Sequence, residues 1–354
     1  MKIEPTLKKK IEIVISALKS YNFPVENKPP SYVDILTIIR RPFSNSVILM
    51  AGFVSGSRKL IMKSVVHHPV NKAITETENQ AVVEFDILTK LYPLFQDMDG
   101  CSVPEPILVL PEIETYVMEY VEGVLLENEL HAANYLTSPK KFNKLQRSFF
   151  NCGRWLKRFQ EGTGIHYAGP EVLDEVITRC DQQLEMIEYA KDKKCPTNLR
   201  EDVMLFLREN QALVKNDEVI VSGRHGDFGP WNIIAEKHGI TVIDYLGYRE
   251  APIAVDLLKM LMNFDNDEKA LLTNSARIKE LKQAFLEGYG TVQHISESVM
   301  IICETYHRAA SLESAINNKA MRFHRSIERK RIFKSNLQWL INDRGREIKL
   351  MHNV

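Results

Sequence analysis

Two aspartates and an asparagine in fixed order, Asp227, Asn232 and Asp244, stand in the segment HGDFGPWNIIAEKHGITVID, residues 225–244. Asp227 and Asn232 share one loop, and Asp244 ends a mostly apolar run, Ile240 to Ile243, that follows a His238-Gly239 turn. The layout reads loop, strand, turn, strand. A nearly apolar strand pair that carries a carboxylate at its tip makes a poor surface hairpin, because Asp244 would be partly dry without a cation. Mg²⁺ resolves that conflict, since it takes a few carboxylate or amide oxygens and keeps its other places for water and phosphate oxygens. The chemistry implied is phosphoryl transfer. An Asx-rich hairpin is the plain alternative, and a lone HGD would leave it ahead; the asparagine and second aspartate weigh against it.

Other elements must position these groups. Three β-type runs, Tyr32 to Arg41, Val47 to Val54 and Lys59 to Val66, are separated by turns at Pro42 to Ser46 and Ser55 to Ser57. Lys63 follows the apolar Leu60 to Met62. A helix over about Thr77 to Tyr92 places Val83, Ile87, Leu88 and Leu91 at helical spacing, with Glu84 beside that apolar face. Ile107 to Leu110 and Thr115 to Tyr120 read as a hairpin around Pro111-Glu112, and from Leu126 the pattern is helical apart from Val219 to Ser222, a short buried-type strand entering the Asp227 loop.

The 354 residues allow about two domains. Lys and Arg number 46, as do Asp and Glu, so no broad field favours nucleic acid. The odd cysteine count, 5, without CxxC spacing argues against a disulfide framework or a zinc site and for a reducing cytoplasm. Glu12 interrupts the apolar run after Lys8 to Lys10, so an amphipathic first helix is expected rather than a signal peptide. Pro42 to Ser57 falls short of a membrane span, and no transmembrane segment is expected. The last helix is basic from Lys319 to Lys334 with an apolar side; docking onto the rest of the chain is the first reading, and peripheral contact with an anionic membrane the second.

HGD, Asn232 and Asp244 together resemble the catalytic segment of the aminoglycoside phosphotransferase-like family, which includes choline kinase-like proteins, a branch of the protein-kinase-like fold. Tyr245-Leu246-Gly247 after Asp244 is closer to this small-molecule branch than to protein kinases, and no APE segment follows. The resemblance implies an α+β, bilobal architecture: residues 1–30 as a first helix and linker, 31–122 as a nucleotide-binding N-lobe with an antiparallel sheet and one main helix, and 123–354 as a helical C-lobe with the catalytic loop and acceptor site. It implies Asp227 as the catalytic carboxylate, Asn232 and Asp244 as Mg²⁺ ligands, and Lys63 on the α and β phosphates of ATP. Glu84, in a helix resembling ExxxLxxL, then orients Lys63, with Glu76 and Glu78 as alternatives. His225 shapes the loop and Asp256 braces it from beneath. Adenine is held by the main chain at the Glu119 carbonyl and Val121 amide.

The first turn departs from the pattern. It reads PFSNS without the glycines of GxGxxG, so backbone amides with the hydroxyls of Ser44 and Ser46 must cradle phosphate. The resemblance therefore implies transfer of the γ-phosphoryl group of ATP to a hydroxyl of a small molecule, such as a sugar, glycan, amino alcohol or aminoglycoside. A catalytically idle structural or binding protein, of spore-coat type, is the alternative. Arg249 and Glu250, and the acidic Asp174, Asp181, Glu185 and Glu188, are possible substrate contacts for which solvation is the simpler reading.

Overall fold

The computed structural model describes residues 4–40, 44–65, 79–133, 137–190, 195–268, 273–290, 295–317 and 323–343. The chain divides into two compact units. One comprises residues 1–123 with 236–246, the other 124–235 with 247–354.

In the first unit, helix α1 (Pro5–Leu18) buries Leu7, Ile11, Val14 and Leu18, a stripe at helical spacing. Strands β1 (Tyr32–Arg40), β2 (Ser44–Phe53) and β3 (Gly56–Val65) follow as an antiparallel meander. The α1 stripe joins Val33, Val47, Leu49, Leu60 and Met62 in one apolar core, so the first helix belongs to the same packing unit as the strands. Each such aliphatic side chain removed from water contributes about 1.5–3 kcal/mol. Helix α2 (Gln80–Phe95) starts after Asn79, whose side chain accepts the Val82 N–H. It passes through Pro93 to Phe95, beyond the Tyr92 end expected from sequence, because buried Phe95 anchors the last turn. After the dipeptide strand β4 (Cys101–Ser102), which lies outside this sheet, β5 (Pro106–Leu110) and β6 (Thr115–Glu119) complete a five-stranded antiparallel sheet ordered β1-β2-β3-β6-β5. The returning segment brings Ile240–Val242, β11 in chain order, parallel to β4.

The second unit begins with β7 (Val124–Leu125) and is dominated by helices α3 (Pro139–Thr163), α4 (Asp174–Tyr189), α5 (Leu199–Leu213), α6 (Ala254–Asp267), α7 (Ser275–Tyr289), α8 (Glu297–Asn317) and α9 (Phe323–Gln338). Helices α3 and α7 meet backbone to backbone: a Cβ on Gly153 would lie 2.0 Å from the Phe285 carbonyl oxygen, and one on Gly288 1.9 Å from that of Phe150. Strand β9 (Val219–Arg224) is flanked antiparallel by β8 (His166–Ala168) and β12 (Arg249–Pro252), and β10 (Ile233–Ala235) pairs with β7. The stretch 162–169 supplies β8 because His166 to Ala168 find backbone partners along β9.

The acidic face of α4 is used within the unit. Arg200 of α5 makes two bonds to Asp181, at 2.7 and 2.9 Å, and lies 3.5 Å from Glu188. The apolar side of α9 packs on α8 through buried Leu337, and in the turn after α9 Leu340 is buried and the Trp339 ring centroid lies 5.4 Å from the Arg308 guanidinium. Lys319 and Arg322 of the expected basic stretch lie outside the described residues. Among the described residues no helix is long and apolar enough to cross a membrane.

Candidate active site

The first unit gathers a lysine and two carboxylates. Strand register sets Lys63 of β3 between Ser46 of β2 and Tyr116 of β6. Its ammonium reaches both oxygens of Glu84 on α2, at 2.8 and 2.9 Å, and Asp244 Oδ1 at 2.9 Å. The lysine and glutamate side chains are 7% and 0% exposed, that of Asp244 29%. Burial alone would lower the Lys63 ammonium, but Asp244 and Glu84 outweigh it and hold it well above its ordinary value. A second donor fixes Glu84, the Tyr245 amide at 2.9 Å from Oε1. Asp244 has φ 72, a left-handed conformation that a short polar side chain tolerates, and this turns the chain at the end of the β11 segment. Glu76 and Glu78 lie outside the described residues.

Ser44 and Ser46 stand in β2 with buried side chains; Pro42 and Phe43 of the turn lie outside the described residues. Glu119 ends β6 and donates its amide to the Glu105 carbonyl at 2.9 Å. Val121 follows outside regular structure, half-buried, two residues before Gly123.

The second unit holds the other acid. Strand β9 delivers His225, fully buried, whose amide donates to Asp256 Oδ2 at 2.5 Å while the Gly226 amide donates to Oδ1 at 3.1 Å. Burial raises the Asp256 carboxyl above its ordinary value against the pull of His225. Gly226 has φ 86, and a Cβ there would sit 2.5 Å from the Gly247 carbonyl oxygen, so the loop bends only with glycine at this point. The Asp227 amide in turn points at His225 Nδ1, 3.4 Å away, and Trp155 stacks on Phe228 with centroids 5.5 Å apart. These contacts lock the loop backbone from below.

Asp227 is half exposed, with both oxygens oriented. Oδ2 accepts from Trp231 Nε1 at 2.8 Å and from Asn232 Nδ2 at 3.0 Å, and Oδ1 lies 3.5 Å from the Lys259 ammonium. Lys259 also lies 5.4 Å from the Trp231 ring centroid. The sequence reading missed Trp231 and Lys259. Trp231 sits inside the motif itself, where an indole N–H is the one side-chain donor between the acid and the amide; Lys259 is one of many surface-type lysines until the fold brings it to Asp227.

Asn232 gives its nitrogen to Asp227, which leaves the amide oxygen, the atom a hard cation takes, turned away from that carboxylate. An amide oxygen, as on Asn232, and a carboxylate, as on Asp244, are each the kind of hard oxygen donor that suits Mg²⁺ and suits zinc poorly. The two donors belong to different units of the chain.

Residues 73–295 match the model of the APH phosphotransferase enzyme family, more than half of the chain. The chain belongs to that family. No curated protein sequence matches it. Among solved structures it is similar to the APH(2″)-IIa ternary complex with streptomycin and ATP, at 11% identity and TM-score 0.52, covering 96% of this chain and 99% of that one. A glucosamine kinase in complex with glucosamine, ADP and inorganic phosphate aligns at 10% identity and TM-score 0.53 over 96% and 100% of the two chains. A choline kinase from Cryptosporidium parvum aligns at 12% identity and TM-score 0.56 over 97% of each. At these identities the likeness establishes the fold. Together with the antiparallel sheet of the first unit and the helices of the second, it makes this APH family member an α+β protein of the bilobal kinase-like fold.

Proposed function

We propose that this protein is an ATP-dependent kinase that moves the γ-phosphoryl group to a hydroxyl of a small molecule. The observation that carries the reading is the Asp227 carboxylate, half exposed yet oriented through Oδ2 by Trp231 and Asn232. A carboxylate held this way can place an acceptor hydroxyl and take its proton as the bond to phosphorus forms. The loose transition state asks mainly for positioning and charge, so a strong base is unnecessary.

In this reading Lys63, kept charged and aimed by Glu84, contacts the α and β phosphates. The backbone and hydroxyls of Ser44 and Ser46 line the phosphate side. The Glu119 carbonyl and Val121 amide take the adenine edge. Asp244 and Asn232 would hold Mg²⁺, which when bound neutralises charge on the phosphate oxygens. Asp256 and His225 act through the loop backbone, not on the substrate.

The test is transfer from γ-labelled ATP with Mg²⁺ to a panel of sugars, amino alcohols and aminoglycosides, with Asp227→Ala as control. The unmutated protein should label one acceptor class, and Asp227→Ala should lose transfer while retaining nucleotide binding. Equal turnover in the variant would sink the assignment.

A further inference from the structure

A cavity of about 430 Å³ opens in the second unit among α6, α8 and α9, within the size range of small-molecule sites. Trp231 and Lys259, the two side chains that touch Asp227 from that direction, are part of its wall. The rest of the wall mixes apolar side chains, Met262, Ala310, Ala315 and Ile332, with uncharged polar groups. Asn263, Asn266, Ser311 and Ser314 offer amides and hydroxyls, and Asn263 Nδ2 is buried with no hydrogen-bond partner among the described residues. Such an orphaned donor costs stability unless a bound molecule satisfies it.

His307, also in the wall, is held neutral. Burial pushes its imidazole down to about 3, and Nε2 donates to the Val255 carbonyl at 2.7 Å. The charged groups are two cations, Lys259 and Arg329, and one carboxylate, Glu328. An acceptor carrying several ammonium groups would meet Lys259 and Arg329 in the wall, offset there by Glu328 alone, so that only an amine next to Asp227 finds a second carboxylate. A neutral sugar suits the wall better: each hydroxyl both donates and accepts, as do amides and serines, and the Trp231 ring offers an apolar surface to sugar C–H groups.

We infer that this cavity takes the acceptor and selects an uncharged polyhydroxylated compound, a sugar or polyol, over a cationic amine. Assigning the cavity to the acceptor rests on the reading of Asp227 given above; the preference for neutral polyols rests on the wall itself.

The experiment separates the two. Calorimetric titration of the full chain without nucleotide compares glucose, galactose, inositol and glycerol with glucosamine, kanamycin and choline, and the same compounds are then tried as acceptors of labelled phosphate. A neutral compound should bind more tightly than its amino counterpart by about tenfold, the size of one mismatched polar contact. Asn263→Asp, nearly isosteric, should narrow or invert that ratio, with its thermal melt checking the fold. Tighter binding of the amines, no binding of any neutral compound, or a ratio that folded Asn263→Asp leaves unmoved would overturn the inference. A neutral compound bound but never phosphorylated would sink the kinase reading and leave the preference standing, whereas phosphorylation of amines alone would do the reverse.

Discussion

Asn232 donates through Nδ2 to two oxygens of one residue, the main-chain oxygen and Oδ2 of Asp227, each at 3.0 Å. One amide thereby fixes both the backbone and the side chain of the proposed catalytic acid, and its own oxygen is oriented as a consequence. Asn232→Ala is expected to lower kcat on the order of 100-fold, the combined worth of two bonds to a charged residue. It should also raise the Mg²⁺ concentration needed for half-maximal rate. A magnesium titration of the variant that shifts kcat alone would remove Asn232 from the metal.

Trp231 supplies the other bond to Oδ2. Trp231→Phe keeps the ring and deletes the donor, so kcat should drop by about tenfold, one hydrogen bond to a carboxylate at the modest end. Nucleotide KM should stay unchanged. Steady-state kinetics with varied ATP at saturating acceptor reads both numbers.

Removing Lys63 leaves Glu84 buried without its cation. Lys63→Met is therefore expected to cost about 3–5 kcal/mol of stability, measured by urea unfolding. The pair Lys63→Met with Glu84→Leu should recover most of that loss and none of the activity, because an apolar pair fits the interior but offers phosphate nothing. If the double variant is no more stable than the single, the pair is not what holds α2 to β3.

Asp267 provides a pH signature. Burial, with Glu127 and Glu328 nearby, pushes its carboxyl up to about 7. A folded value above the unfolded one favours the folded state fully below about pH 4, and the advantage is lost as pH rises through the folded value. The Tm should thus decline between about pH 4 and pH 7 and level off above. Asp267→Asn should flatten the profile; an unchanged slope would assign it to other groups.

Gly226→Ala forces a side chain into the left-handed region and against the Gly247 carbonyl. The expected cost is about 1–3 kcal/mol, with turnover lost through displacement of the neighbouring Asp227. Normal kinetics in a folded variant would show that the loop bends some other way.

The sequence by itself singled out the candidate acid, amide and second acid, Asp227, Asn232 and Asp244, because a motif of fixed spacing within one loop and one strand is local. It also determined the strand bearing Lys63 and the helix bearing Glu84, since strand and helix periods show in the residues themselves. The ends of α2 and the short strand β8 depended on burial of Phe95 and on backbone partners along β9, which no local pattern carries. Only the tertiary structure brought Lys259 from α6 to Asp227, closed the acidic face of α4 with Arg200, and set Asn263, Ser311 and Arg329 around one cavity. Those residues come from elements far apart along the chain, so their meeting is a property of packing that no local spacing encodes.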